Sequence, residues 1–203
     1  MIRITDVSVY NLENALRGAR NPMNSWHKSD SHYNAQGQYI LGENDLALAT
    51  KLCKAGSDHR KFMRQIIVSA DILAPLYWWK EFDTYKVGTT ANSTSTMHKI
   101  HSKPIELDDF SHDKLTPAGK EALQNLINVL EASRQNFITA KDKAEWYNII
   151  QLLPSGYNQL RTVTMSYENL RNMYHARKAH KLTEWHDYCD WIKTLPYTNE
   201  LVL

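Results

Sequence analysis

The stretch from residue 166 to residue 193 constrains the fold more than any other part of the chain. Tyr167, Leu170, Tyr174, Leu182, Trp185, Cys189 and Ile192 recur at helical spacing, while Arg171, His175, Lys178 and Lys181 lie largely off that stripe. An amphipathic helix of this kind must bury its apolar side against another element. Strand-like segments are available. Ile2, Ile4, Val7 and Val9 alternate through residues 2–10, the run RQIIVSADIL at 64–73 reads as a second strand, and 159–165 reads as a short third. Helix-period and strand-period segments in one chain define an α+β class: a mixed or antiparallel sheet, flanking helices and one long C-terminal helix.

Breakers set the remaining boundaries. Asn44 or Asp45 caps a helix that runs through Lys54 and stops at Gly56. Pro75 has no amide proton and ends strand pairing, and LYWWKEFDTYKV at 76–87 reads as a helix. Thr116-Pro117 opens a helix through Thr139, with Leu123, Leu126, Ile127, Leu130 and Phe137 on one side. A helix at 141–153 ends at Pro154-Ser155-Gly156. Residues 18–43 lack periodicity and read as a long loop with one helical turn; Trp26 and Tyr33 inside it favour a functional loop.

At 203 residues the chain matches one domain, spanning residues 1–203, and a chain of that size buries about 70% of its unfolded surface without staples. A net charge of +2 is too mild to make nucleic acid the main partner. Cys53 and Cys189 are far apart and form no CxxC pair, so neither a disulfide framework nor a zinc site is expected, and no metal is assigned. No segment is apolar enough to span a bilayer, and the first residues lack the apolar run of a signal peptide, so the expected location is the cytoplasm. The Asn92-Ser93-Thr94 sequon is then accidental. Six Trp and eleven Tyr suit a core, a subunit interface or a site that stacks flat rings.

The sharpest chemical pattern is central. Tyr85 and Lys86 precede the run GTTANSTSTMH at 88–98, a loop of small residues and hydroxyls that can cradle a phosphate or a polar ring edge. The alternative is a structural helix followed by a solvated loop. In the last helix the basic residues read as a solvated face, except Arg177. It follows Tyr174 by three residues at the edge of the apolar stripe and, partly buried, needs an anionic partner from the protein or a ligand. No GxGxxG, P-loop, GxSxG or HExxH motif occurs.

These same residues resemble the flavin-dependent thymidylate synthase family. The family carries an Arg-His-Arg triplet after a strand and an Ala-Pro step, then seven residues and a serine. Here Ala74-Pro75 leads to Thr84-Tyr85-Lys86, seven residues and Thr94, and a further family arginine is replaced by Thr96. Downstream, Leu153-Pro154 and SYENLRNMYHAR match the family's Leu-Pro step and N-x-R-x-L-x-N-F-x-x-x-R. Leu170, Asn172 and Arg177 stand in register, while Ser166 replaces an asparagine and Glu168 an arginine. The segment HRKFMRQI resembles the family's histidine-bearing segment, ALRGAR at 15–20 its early Ala-x-Arg step, and Thr183-Glu184 stands near its Gln-containing step.

The resemblance covers about residues 15–190 and implies an α+β homotetramer with sites shared between subunits. It implies FAD as cofactor, NADPH as hydride source and methylenetetrahydrofolate as carbon donor, acting on C5 of a dUMP-type pyrimidine nucleotide. Carried over, Arg177 and Thr94 become the catalytic pair. Asn92, Ser93, Thr94, Ser95, Thr96, Asn172 and Arg177 become nucleotide ligands, and His59, Arg64, Tyr85 and Lys86 face the flavin. The missing arginines each forfeit a charge-assisted bond of about 1.5–3 kcal/mol, for which Arg20, Lys61, Arg64, Lys80 or Lys99 must substitute. Three readings follow: a divergent enzyme, a homologue that binds nucleotide or flavin without turnover, and a ligand-free oligomeric protein with the aromatics near Trp78 and Trp79 at its interface.

Overall fold

A computed structural model describes residues 2–203. The class is α+β, as the sequence indicates. The main sheet has the order β1–β4–β6–β5, formed by β1 (Arg3–Tyr10), β4 (Ile67–Pro75), β6 (Asn158–Ser166) and β5 (Thr90–Ser93). A small antiparallel hairpin pairs β2 (His32–Tyr33) with β3 (Tyr39–Ile40). The helices are α1 (Leu12–Ala19), α2 (Glu43–Lys54), α3 (Leu76–Phe82), α4 (Pro117–Ala140), α5 (Lys143–Leu152), α6 (Tyr167–Arg177), α7 (Thr183–Lys193) and α8 (Thr198–Leu201). By contacts the chain divides into two compact units. The first holds Ile72–Thr84 and Asn92–Thr162 with the chain start through Arg3; the second holds Ile4–Asp71, Tyr85–Ala91 and Val163–Leu203.

In the first unit α4 and α5 form a helical pair. Ile127, Leu130 and Ile149 pack with Ile100, Ile105 and Phe110 into one apolar cluster. Thr116 caps α4 as its sequence foretells, its hydroxyl accepting from the Gly119 amide. Glu131 accepts the Ile105 amide at 3.0 Å and pairs with Arg134, which donates to the His101 carbonyl. These bonds fix the 100–105 segment on α4. Trp78 and Trp79 are fully buried; Trp79 meets Trp78 and Phe82 edge to face, and Trp78 packs tilted against Phe82, all with centroids about 5 Å apart. They build core, which removes them from any interface, contrary to the third reading.

Three sequence expectations shift. The C-terminal helix is two: α6 ends at Arg177 and α7 starts at Thr183. The His180 ring accepts the Leu182 amide, and Leu182 is extended, so a side chain takes an amide that a continuous helix would need. The strand expected from residue 64 begins at Ile67, because Arg60–Gln65 coils as a 3-10 segment that buries Phe62 and Met63. The 18–43 loop holds two 3-10 turns and the β2–β3 hairpin.

What orders that loop is a charge. Arg20 is buried, and its Nε donates to Asp45 at 2.6 Å. Ser29 and Ser31 hydroxyls also donate to Asp45, and Arg20 reaches the carbonyls of Ser25 and Lys28. Burial pushes the Asp45 carboxyl up, but hydrogen bonds from Ser29, Ser31 and Arg20 outweigh it and hold the group below its usual value. A carboxyl depressed in the fold adds stability above the ordinary carboxylate range and loses it as pH falls. Asp45→Ala strands the buried guanidinium and is expected to cost about 3–5 kcal/mol in urea unfolding, with a shallower loss of stability on acidification than the native chain. An unchanged midpoint would show that water reaches Arg20.

Candidate functional site

The sequence-assigned residues fall into two sets, one in each unit. In the second unit the centre is Arg177, the last residue of α6. Its Nε donates to the Tyr85 hydroxyl at 2.9 Å. Its guanidinium carbon lies 5.5 Å from the Tyr85 ring centroid and 4.9 Å from that of Trp185, so the cation is held by two aromatic rings. Arg177 is half-buried, as its place at the edge of the stripe implies.

Local sequence explains why Tyr85 is there. Ser166 caps α6 reciprocally with Asn169. Asn169 also donates to the Val87 carbonyl at 2.7 Å, and the Thr89 hydroxyl closes onto the Tyr85 carbonyl at 2.6 Å. Gly88 completes the turn with φ +78°, a conformation that costs a side-chain-bearing residue. One asparagine therefore starts α6 and anchors the 85–89 turn that delivers Tyr85 to the end of the same helix. Lys86, Asn172, His59 and Arg64 are exposed in this unit. Glu168, at a family arginine position, is buried and accepts Arg60 Nε at 3.1 Å through both oxygens, so the reversed charge is answered inside the protein.

The hydroxyl-rich run is only partly a loop, since Thr90–Ser93 forms the edge strand β5; from Asn92 onward it belongs to the first unit. The Thr94 amide, expected to face an anion, donates to the Leu160 carbonyl at 2.9 Å, and its hydroxyl reaches the same oxygen at 3.3 Å. Ser95 Oγ accepts the Met97 and His98 amides, a local turn that the sequence alternative of a plain loop anticipates. Asn92 and Ser93 are exposed and Thr96 is half-buried. Thr94 and Ser95 do line a cavity of about 670 Å³, together with Lys99, Lys103, His112 and Asn158. Lys103 is paired with Asp109, and Asn158 accepts the Ser111 hydroxyl at 2.8 Å.

Sequence reasoning missed Trp185, read only as part of the apolar stripe, and the cavity residues Lys103, His112 and Asn158. No local motif marks them. Arg20, offered as a substitute phosphate ligand, is consumed by Asp45. Among the described residues no group of three His, Cys, Asp or Glu could hold a metal, and no helix is long and apolar enough to cross a membrane.

No protein-family model matches this sequence, and no curated protein sequence does. Solved structures do match in fold. The crystal structure of thymidylate synthase X (ThyX) from Helicobacter pylori with FAD and dUMP superposes with a TM-score of 0.71 at 14% identity, covering 100% of this chain and 97% of that one. A second structure of flavin-dependent thymidylate synthase ThyX from Helicobacter pylori, complexed with FAD and dUMP, gives 0.70 at 14%, covering 98% of each chain. The fold of this chain is thus the ThyX fold over its full length.

Gly88→Ala puts a Cβ 3.0 Å from Asn169 Oδ1 in left-handed backbone. Gly37 has a similar φ of +74° with nothing within 4 Å. Both alanine variants are expected to lose about 1–2 kcal/mol from the backbone alone. Gly88→Ala is expected to lose more, because Asn169 must move. Equal losses in urea unfolding would show that the Asn169 contact yields freely.

Proposed function

We propose that this chain is a divergent flavin-dependent transferase that places a methyl or hydroxymethyl group on C5 of a dUMP-type pyrimidine nucleotide. The observation that carries the reading is Arg177. It stands at the family's nucleotide position, in a chain that keeps the ThyX fold, and it is oriented by Tyr85 from the altered triplet. Tyr85 accepts from Nε, so the planar fork cannot swing about its long stem. A fork fixed in this way can bind a uracil carbonyl or a phosphate oxygen in one orientation. Trp185 and Tyr85 keep the charge poorly hydrated, which strengthens it toward an anion. Asn172 lies on the same helix and supplies amide hydrogen bonds. Thr94 and Ser95, with Lys99 on the same cavity, suit a polar or phosphorylated group.

The residues present fit a flavin in kind. His59, Arg64 and Lys86 are exposed nitrogen donors of the second unit, suited to a pyrophosphate, and Tyr85 offers a ring edge. Bound FAD would supply hydride chemistry, with NADPH as reductant and methylenetetrahydrofolate as carbon donor. A specific observation also favours a second reading, a homologue that binds nucleotide or flavin without turnover. Thr84 and Thr96 stand where family members use arginine and Tyr85 where they use histidine, and none of the three brings a charge.

Spectroscopy and calorimetry separate these. A yellow protein that binds dUMP supports the enzyme; a colourless one that binds dUMP supports the second reading; a colourless one with no nucleotide affinity overturns both. Arg177→Ala is expected to weaken dUMP by about 1.5–3 kcal/mol, the value of a charge-assisted bond. Unchanged affinity with reduced stability would make Arg177 a structural residue.

The same reading includes a cytoplasmic homotetramer. Val87 is 89% exposed and Met23 81%, apolar surface suited to subunit contacts. Light scattering at micromolar concentration is expected to give four times the chain mass; a clean monomer would remove a site shared between subunits.

A further inference from the structure

A second cavity, of about 1040 Å³, lies wholly within the second unit. It shares no lining residue with the Thr94 cavity or with the Arg177, Tyr85 and Trp185 set. Its walls are aromatic: Tyr10, Tyr33, Tyr39, Trp191 and Tyr197 all line it. Tyr10 is 54% and Tyr33 57% exposed, an unusual placement for such large rings in a folded chain.

The rings are held in place. Tyr33 and Tyr39 face each other across the β2–β3 pairing with centroids 5.2 Å apart. The Tyr197 hydroxyl accepts the Leu41 amide at 2.9 Å, tying the end of the hairpin to the C-terminal segment. Tyr197 and Asn11 both adopt left-handed backbone, with φ of 58° and 68°, which non-glycine residues reach only at a cost.

The polar groups decide what such a cavity takes. Glu13 is the one charged residue in its lining, and its carboxylate accepts the Tyr33 hydroxyl at 2.6 Å. Lysine and arginine are absent from that lining. The amide side chains of the lining bond within the protein: Asn11 donates to the Gln65 carbonyl, Asn14 donates to Asn11, and Gln38 accepts from Asn34. A sugar or nucleotide read by hydrogen bonds finds few groups there, and an anion meets a carboxylate. Ring faces beside a single negative charge are what an organic cation needs, since the ring quadrupole and the carboxylate attract the same sign.

We propose that this groove binds a small organic monocation of the quaternary-ammonium class. Tyr10, Tyr33, Tyr39 and Trp191 form the aromatic wall and Glu13 the counter-charge. The inference stands apart from the proposed transferase activity. Calorimetry on the full-length protein tests it with choline and with the uncharged analogue in which carbon replaces the quaternary nitrogen. Choline is expected to bind saturably and about tenfold or more tighter than the analogue, and Glu13→Gln and Tyr33→Leu each to weaken it by about tenfold. Circular dichroism confirms that both variants, altered at exposed side chains, remain folded. Absence of saturable choline binding, equal binding of the analogue, or native affinity in folded Tyr33→Leu would each overturn the proposal.

Discussion

A guanidinium removed from water must take a counter-charge with it, and the Arg20–Asp45 pair is where this chain meets that requirement most fully. Both side chains are buried, and Asp45 collects donors from Arg20, Ser29 and Ser31. Arg20 in turn holds the carbonyls of Ser25 and Lys28. Asp30, which stands between Ser29 and Ser31, accepts the amides of Asn44 and Asp45 and so starts α2. The segment from residue 20 to residue 45 is therefore ordered by a charge and its hydrogen bonds, with little apolar periodicity. The hairpin that carries Tyr33 and Tyr39 depends on that order.

The same rule accounts for several other arginines. Arg60 is matched by buried Glu168, Arg134 by Glu131, and Arg161 by Asp83 with Trp79 stacked at 4.2 Å. These arginines, attractive to a phosphate on a sequence count, serve the fold. Arg64, Lys61, Lys80, Lys86 and Lys99 are exposed instead. Exposed lysines are flexible point charges and give weaker, less oriented phosphate contacts than an arginine fork. Arg177 differs from these exposed cations in that its guanidinium is oriented by the Tyr85 hydroxyl and lies against the Tyr85 and Trp185 rings.

Local signals carried the elements well where one residue does one job. Thr116-Pro117 starts α4 because threonine caps and proline needs no amide, and Leu153-Pro154 closes α5. The break between α6 and α7 was invisible for a physical reason: Leu182 and Trp185 continue the apolar period across it, and only the His180 ring, in three dimensions, diverts the chain. The edge strand β5 was hidden because Thr90–Ser93 is exposed and has no apolar alternation. At the site, Tyr85 and Arg177 are 92 residues apart, so no local pattern joins them. Family register placed both, but gave no sign that they touch each other or that Trp185 completes the set.

Tyr85 shows what its substitution changes. The histidine that the resemblance puts at this position brings two ring nitrogens and can carry a charge. Tyrosine brings one hydroxyl and a ring face. Here the hydroxyl accepts from Arg177 and the ring lies beside its guanidinium, so both parts of the side chain act on that cation. Tyr85 brings no charge of its own, but it restrains the orientation of the Arg177 guanidinium. Glu168 follows the same direction, replacing a family arginine with a carboxylate that is satisfied internally by Arg60. These positions form bonded pairs within the protein, Tyr85 with Arg177 and Glu168 with Arg60.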